Sequence, residues 1–312
     1  ASALNTQLKA LYETGLSDVN PVAHFAEISF RFGDSPQTIL RQADQILVAA
    51  EADMRTFVDP ENVEKLAPDE DHHHWHQRLS AILDKEAFEL YSQPVYQCND
   101  QHIVLHRKIL ARIKTEDGEI IPAGRFIPWV RRLALGRRMD VVMLEQTLRA
   151  MESTTHAFAL SISGESVADD ESLNALLQPL KSARHLTSRL TLELDENELP
   201  DPERVSVLVK KLQDLGCGLG IQHFGGRFHL IGNLPQWGLA WIKVDGGYIH
   251  RIDEEDDKKL FIEAIYWATR QINLPLIAER VETEGELAVL EKIGLYGAMG
   301  RYFSDASTLD PK

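Results

Sequence analysis

Gly218-Leu219-Gly220-Ile221-Gln222-His223-Phe224-Gly225-Gly226-Arg227-Phe228 is the most informative stretch of the chain. The apolar run Gly218 to Ile221 predicts a short strand, and the polar pair, aromatic residue and two glycines behind it predict a turn outward. In a parallel α/β architecture the loops after the carboxyl ends of the strands carry the chemistry, because the strands hold the backbone while the loop residues vary. This loop contains no acid.

Working outward, strand and helix patterns alternate from Trp75 onward, which predicts parallel strands joined by crossover helices. The expected strands are Phe88-Gln97, Ile103-Ile113, Ala157-Ser163, Arg189-Leu194, Gly218-Ile221, Ala240-Val244, Leu274-Arg280 and Ala298-Phe303. Helices are expected near Arg125-Leu133, Arg138-Met151, Ser172-Ala183, Pro202-Leu215, Asp256-Gln271 and Glu284-Ile293. Eight strands in this order predict an α/β fold of the closed (β/α)8, TIM-like class.

The amino-terminal part reads differently. Leu4, Leu8 and Leu11 have helical spacing, His24 to Phe32 alternates as a strand would, and Ser35-Pro36 opens a helix to about Met54. Residues 59–74 are acidic, punctuated by proline, and read as a linker ending in His72-His73-His74-Trp75-His76. Four histidines so close invite a zinc reading, but adjacent helical residues point apart and no cysteine or carboxylate completes a standard set. A solvated linker or helix start is expected there instead.

The chain has 312 residues, 44% hydrophobic and 26% charged, the composition of a globular protein. Its net charge of -15 works against direct binding to nucleic acid, where phosphate neutralisation supplies most of the affinity. Cys98 and Cys217 are far apart and form no disulfide or zinc pattern, as suits a reducing compartment. No apolar run approaches the roughly 20 residues that span a bilayer, and no signal peptide opens the sequence, so the material is expected to be soluble.

Several motifs resemble known families. Ser35 to Leu47, with its Ala43-Asp44 pair before an apolar run, resembles the late helix of GGDEF diguanylate cyclase domains, although the Gly-Gly-Asp-Glu-Phe motif is missing. From Phe88 to Ser304 the chain resembles the EAL cyclic-di-GMP phosphodiesterases, which hydrolyse that dinucleotide with a carboxylate-bound metal pair. Their Glu-Ala-Leu-x-Arg motif stands here as Lys108-Ile109-Leu110-Ala111-Arg112, their metal-binding asparagine as Ser161, their Asp-Asp pair as Gln222 and His223, and a late glutamine as Met299. Glu193, Glu196, Glu279, Glu282, Lys243 and Asp245 remain.

Together with Ile121 to Trp129 and the string Leu276-Ile277-Ala278-Glu279-Arg280-Val281-Glu282, these motifs are most similar to the LapD receptors, inner-membrane proteins with degenerate GGDEF and EAL modules. That resemblance implies residues 1–58 as the end of a degenerate GGDEF domain and 75–312 as a degenerate EAL barrel. It implies cyclic-di-GMP held by Arg112, Phe228 and Glu279, with Gln93, Leu110, Asp140, Lys243, Asp245 and Gly300 at the same pocket. It also implies no catalysis, no metal and no cofactor. A homodimer, a diguanylate cyclase partner and, through parts outside this chain, a periplasmic protease and biofilm control follow from the same likeness, as does a cytoplasmic location in a bacterial inner-membrane protein.

Alternatives stay open at each position. Arg112 could pair with a barrel carboxylate, Phe228 could cap the core, and Glu279 and Glu282 could pair with Lys108 and Lys243 in a network that needs no ligand. His223 could act as a base or be plain polar surface. Trp129, Trp237 and Trp241 are expected in the core or at an interface. The rival functions are a residual phosphodiesterase using Glu193, Glu196, Glu279 and Asp245, and a ligand-free scaffold of the kind that regulates RNA turnover.

Overall fold

The computed structural model describes residues 72–309 except 116, residues 23–30, and a few single positions before residue 51. The expected helices of residues 1–13 and 36–54 and most of the linker lie outside the described residues, although Leu4, Pro36, Ile39 and Ile46 are helical and Ile39 N donates to Ser35 O at 3.1 Å. Over residues 24–30 the expected strand is not formed, and Phe25 alone makes an isolated bridge. Among the described residues no helix is long and apolar enough to cross a membrane.

The chain divides into two compact units, Ala1–Ala87 with Ile113–Leu135, and Phe88–Arg112 with Gly136–Lys312. In the first, helix α1 (His72–Asp84), strand β3 (Ile120–Pro122) and helix α2 (Ala123–Arg132) surround a small aromatic core. Trp75 and Trp129 are both buried, their rings stacked at 6.1 Å. The histidine run therefore opens a helix, and His74 and His76 face solvent from it.

The second unit is a closed eight-stranded barrel. Its strands are β1 (Phe88–Gln97), β2 (Asp100–Lys114), β4 (Phe158–Ile162), β5 (Leu190–Asp195), β6 (Gly218–Phe224), β7 (Trp241–Val244), β8 (Leu276–Ala278) and β9 (Gly297–Ala298). They follow the order β1-β9-β8-β7-β6-β5-β4-β2, and a β1–β2 pairing closes the ring. Seven strands run parallel, but β1 is antiparallel to β9. The expectation of parallel strands fails for β1 because only the two residues Cys98 and Asn99 join it to β2, and so short a turn can join only antiparallel strands. A short β10 (Ser307–Thr308) pairs with β1 outside the ring.

Crossover helices cover the barrel: α3 (Gly136–Met151), α4 (Asp170–Ser182), α5 (Pro202–Asp214), α8 (Asp256–Gln271) and α9 (Glu284–Ile293), with one-turn helices α6 (Leu234–Trp237) and α7 (Gly246–Ile249) between. Their starts are capped from the sequence. Asp169 accepts from Ser172 N, Asp201 from Arg204 N, and Thr283 with Glu286 forms a capping box. Asp169 explains why α4 starts two residues before the expected Ser172.

Two strands are shorter than their patterns. Asn273 and Arg280, with φ of 54° and 58°, bracket β8, and Leu274 N is spent on Thr269 O. The expected strand to Phe303 stops at Ala298, because Phe303 N turns back to Gly300 O and Gly300 presses on Val281 so closely that a Cβ would lie 2.1 Å from its carbonyl oxygen. Strand β6 is longer than expected. It carries Gln222 and His223 inside the ladder, with a register irregularity between Ile221 and Phe224 and a φ of 54° at His223. Such a bulge bends the strand and re-aims its side chains.

Candidate functional site

Alternation along β2 puts His106, Lys108, Leu110 and Arg112 on one face, and the buried Ile109, Ala111 and Ile113 on the other. The first face climbs through the barrel towards the strands' carboxyl ends. At the bottom, His106 stacks on Trp241 with ring centres 4.3 Å apart. Burial, reinforced by the Lys243 charge, pushes the His106 imidazole down to about 3, so it is neutral at ordinary pH. Its Nε2 has no hydrogen-bond partner among the described residues.

One step higher, Lys108 Nζ donates to Ser161 Oγ and Gln222 Oε1, each at 2.6 Å, and forms a close ion pair with Glu193 Oε2. Ser161 Oγ in turn donates to Gln222 Oε1 at 2.9 Å. The other oxygen of Glu193 accepts from Trp241 Nε1 at 2.7 Å and lies 2.7 Å from Lys243 Nζ. Lys243, fully buried, is close to Glu193 but not aligned for a hydrogen bond. Burial opposes the charge of Glu193, but Lys108 and Lys243 overcome it and hold this carboxyl far below the usual range. Four of the positions singled out above, 108, 161, 193 and 222, thus meet at one point. The three N–H groups of Lys108 are all used there, leaving none for an incoming phosphate.

At the rim His223 Nδ1 lies 2.8 Å from Asp195 Oδ2, and its Nε2 is 3.6 Å from Glu279 Oε2. Burial disfavours the imidazolium, yet Glu279, Asp195 and Asp245 outweigh it and raise the ring to about 9. His223 thus lies between acids that favour its charged form, which counts against the general-base alternative: a base must be neutral to accept a proton.

Arg112 is half-buried beside this mouth. Its guanidinium lies 5.6 Å from the Tyr91 ring centre and donates to Ala111 O at 3.2 Å, with no ion pair among the described residues. Among the described residues Arg112 does not take up the ion-pair alternative. Gln93 is half-buried and gives its amide to Ser304 O at 2.9 Å. Leu110 is half-buried on the Arg112 face. Met299 packs with Val95 and Ile277 in an apolar cluster.

Three residues expected at the ligand have partners within the fold. Lys243 has no exposed surface and serves Glu193. Asp140 is buried, and its Oδ2 accepts from Ser163 N, Ser163 Oγ and Ser166 Oγ at 2.6–2.7 Å, which anchors the loop after β4. Burial lifts that carboxyl to about 6 despite these bonds. Asp245 caps α7 through Gly247 N at 2.7 Å. Glu282 pairs with Arg301 rather than with a barrel lysine.

Glu196 is fully buried, and it shapes the glycine loop by accepting from Gly225 N and Arg227 N, while its carbonyl accepts from Arg227 Nη1 at 3.0 Å. Phe228 opens a 3-10 turn at Phe228–Asn233; its side chain lies outside the described residues. Sequence reasoning does not place His106, Asp195 or Tyr91 in the site. His106 is findable as the residue two before Lys108 on a strand, and Asp195 as the residue two after Glu193.

A pair of divalent ions, implied by the phosphodiesterase resemblance, does not fit these residues. Hard divalent cations take oxygen ligands, mostly carboxylates, whereas the point of convergence holds an ammonium with one carboxylate, a hydroxyl and an amide. Glu196 is spent on backbone amides and Glu279 faces an imidazolium.

Comparison with known proteins agrees with this architecture. The cyclic di-GMP phosphodiesterase PdeF of Escherichia coli K12 is 26% identical over 213 residues, covering 66% of this chain and 28% of PdeF. The chain thus spans under a third of that relative's length. Among solved structures, the Vibrio cholerae LapD S helix-GGDEF-EAL bound to c-di-GMP superposes with a TM-score of 0.77 at 18% identity, covering 96% of this chain and 74% of that one. The c-di-GMP complex of the PaMucR phosphodiesterase gives 0.68 at 22% identity over 75% and 97%. Likeness at such identity speaks for the fold alone. The EAL domain family matches residues 76–306, and this chain therefore belongs to the EAL domain family.

Proposed function

We propose that this chain is a cyclic-di-GMP-binding module that recognises the dinucleotide without hydrolysing it. The observation that carries the reading is the Lys108 ammonium, bonded to Ser161, Glu193 and Gln222 inside the barrel below the rim. A positive side chain there takes the place where water would be activated for attack on phosphorus. Arg112 supports binding: a half-buried guanidinium with no acidic partner among the described residues presents the planar fork that grips a phosphate. Glu279 and Phe228 follow by motif as the guanine contacts, a carboxylate for the N1 and N2 donors and a ring for stacking. Glu279 reaches the nucleotide only by sharing its carboxylate with His223.

Binding would favour one arrangement of domains or of two paired copies, and so signal. The degenerate GGDEF part at residues 1–58, the inner-membrane parent, a cyclase partner and adhesion control belong to this proposal on motif resemblance. A ligand-free scaffold is the second reading, favoured by the internal satisfaction of Lys108 and Glu279.

Calorimetric titration of cyclic-di-GMP into the purified chain without added metal tests the proposal, with Arg112→Ala alongside and chromatography of the nucleotide afterwards. Saturable binding lost in the variant, with the nucleotide intact, is expected. Absence of heat in the native chain would promote the scaffold, and linear dinucleotide after adding magnesium or manganese would overturn the non-catalytic assignment.

A further inference from the structure

We infer that Lys108 is a tethered cation: its ammonium stands where oxygens from three strands converge and supplies there the charge and the ordering that a bound divalent ion would supply. Ser161 Oγ of β4 and Gln222 Oε1 of β6 both lie 2.6 Å from Nζ, and Glu193 Oε2 of β5 is its ion-pair partner. A point about 2.3–2.6 Å from several oxygens is the environment of a bound calcium-like cation. Here a side chain, buried at 6% exposure, fills that point from β2. The charge is covalent, so no chelator removes it and no free cation competes for it.

Lys108 is accordingly a positioning residue. It holds three side chains from separate strands in one geometry, and it gives the mouth a fixed positive charge although its own donors are saturated. None of this requires a nucleotide. The chain is then indifferent to divalent ions because Lys108 fills the point, and exchanging its ammonium for a carboxylate would leave two carboxylates, a hydroxyl and an amide there, with Lys243 balancing only one of the two negative charges. Ligand charge and count set cation affinity, so that arrangement is a divalent-cation site.

The test is thermal unfolding and calorimetry with manganese chloride alone, on the native chain, Lys108→Glu, and Lys108→Glu with Glu193→Gln. The native chain is expected to melt at the same temperature with manganese or with a chelator. Lys108→Glu is expected to bind about one manganese ion, with a saturable rise in melting temperature of about 5–10 °C at a hundredfold excess over its dissociation constant. That rise is lost when Glu193→Gln is added. Lys108→Asp, which adds the same charge on a shorter side chain, repeats the comparison if the glutamate variant does not fold; it too should respond to manganese where the native chain does not. A native chain that manganese stabilises until Ser161→Ala is introduced would overturn the inference, as would folded Lys108 variants that ignore manganese. Because only the metal is titrated, either result is independent of whether cyclic-di-GMP binds.

Discussion

Lys243 Nζ lies 2.7 Å from Glu193 Oε1, with neither side chain exposed to solvent, and the opposite oxygen of the same carboxylate is paired with Lys108. One buried anion thus serves two buried cations. Removing a cation leaves Glu193 one lysine and the Trp241 N–H, whereas removing the anion leaves two like charges unpaired in the barrel. Breaking a buried pair costs about 3–5 kcal/mol when it strands a charge. Glu193→Gln should therefore destabilise by at least about that amount, and Lys108→Met by clearly less. Urea unfolding of both variants decides it; equal losses would mean that the two lysines do not depend on the shared carboxylate.

His223 connects stability to pH. Its acidic neighbours raise it from the ordinary 6.5 to about 9, so folding favours the protonated ring. That contribution is fully present below about 6.5 and is lost as pH rises through about 9. The ring is 40% exposed, and water screens the interaction, so the effect is modest. Melting temperature measured from pH 6 to 10 should fall for the native chain over this window and fall less for His223→Gln. Parallel curves would place the titration elsewhere.

Arg112 owes its position to Tyr91 as well as to its own strand. With the guanidinium over that ring at 5.6 Å, Tyr91→Ala removes a contact worth about 0.5–1 kcal/mol at a partly exposed site and frees the side chain to reorient. If Arg112 grips phosphate, Tyr91→Ala should weaken cyclic-di-GMP by about threefold to tenfold, and Arg112→Ala by more, with stability little changed in both. Calorimetry in parallel with melting curves separates the two effects. Unchanged affinity in Tyr91→Ala would make the stacked arrangement irrelevant to recognition.

The barrel is legible because most of its inner strands are short apolar runs bounded by turn signals and the helices repeat their apolar residues at helical spacing, as in Phe158–Ile162 and Asp256–Gln271. The direction of β1 is misread although the expected gap to the next strand, residues 98–102, is already too short for a crossover helix, because the pattern of the following units suggests uniform parallel strands. Gln222 and His223 read as loop because they are polar. They remain in β6 because Lys108, 114 residues away from Gln222, and Asp195 supply partners inside the barrel. Lys243 and Asp140, ligand contacts by motif resemblance, have partners inside the fold that the motif does not reveal. A charged residue reads as available until its long-range partner is known, and Glu193 and Ser163 are set apart from them by whole strands and helices.

The loop that carries Phe228 offers a test in which two adjacent glycines behave differently. At Gly225 φ is 144°, and an added Cβ would lie 2.4 Å from Tyr248 Cε2, whose hydroxyl donates to Gly225 O at 3.1 Å. Gly226 has no such conformation, and its nearest contact for a Cβ is an ordinary 3.7 Å to Glu196 Oε1. Gly225→Ala must either strain the backbone, at about 1–3 kcal/mol, or displace Tyr248 and with it the amides that Glu196 holds. Gly226→Ala makes only that ordinary contact and should change stability by under about 1 kcal/mol. On the receptor reading, Gly225→Ala also moves the start of the Phe228 turn and should reduce cyclic-di-GMP affinity more than tenfold, while Gly226→Ala keeps affinity within about threefold. Unfolding curves and nucleotide titration of the two variants check both halves. Equal tolerance at the two positions would show that the Tyr248 contact does not hold the loop.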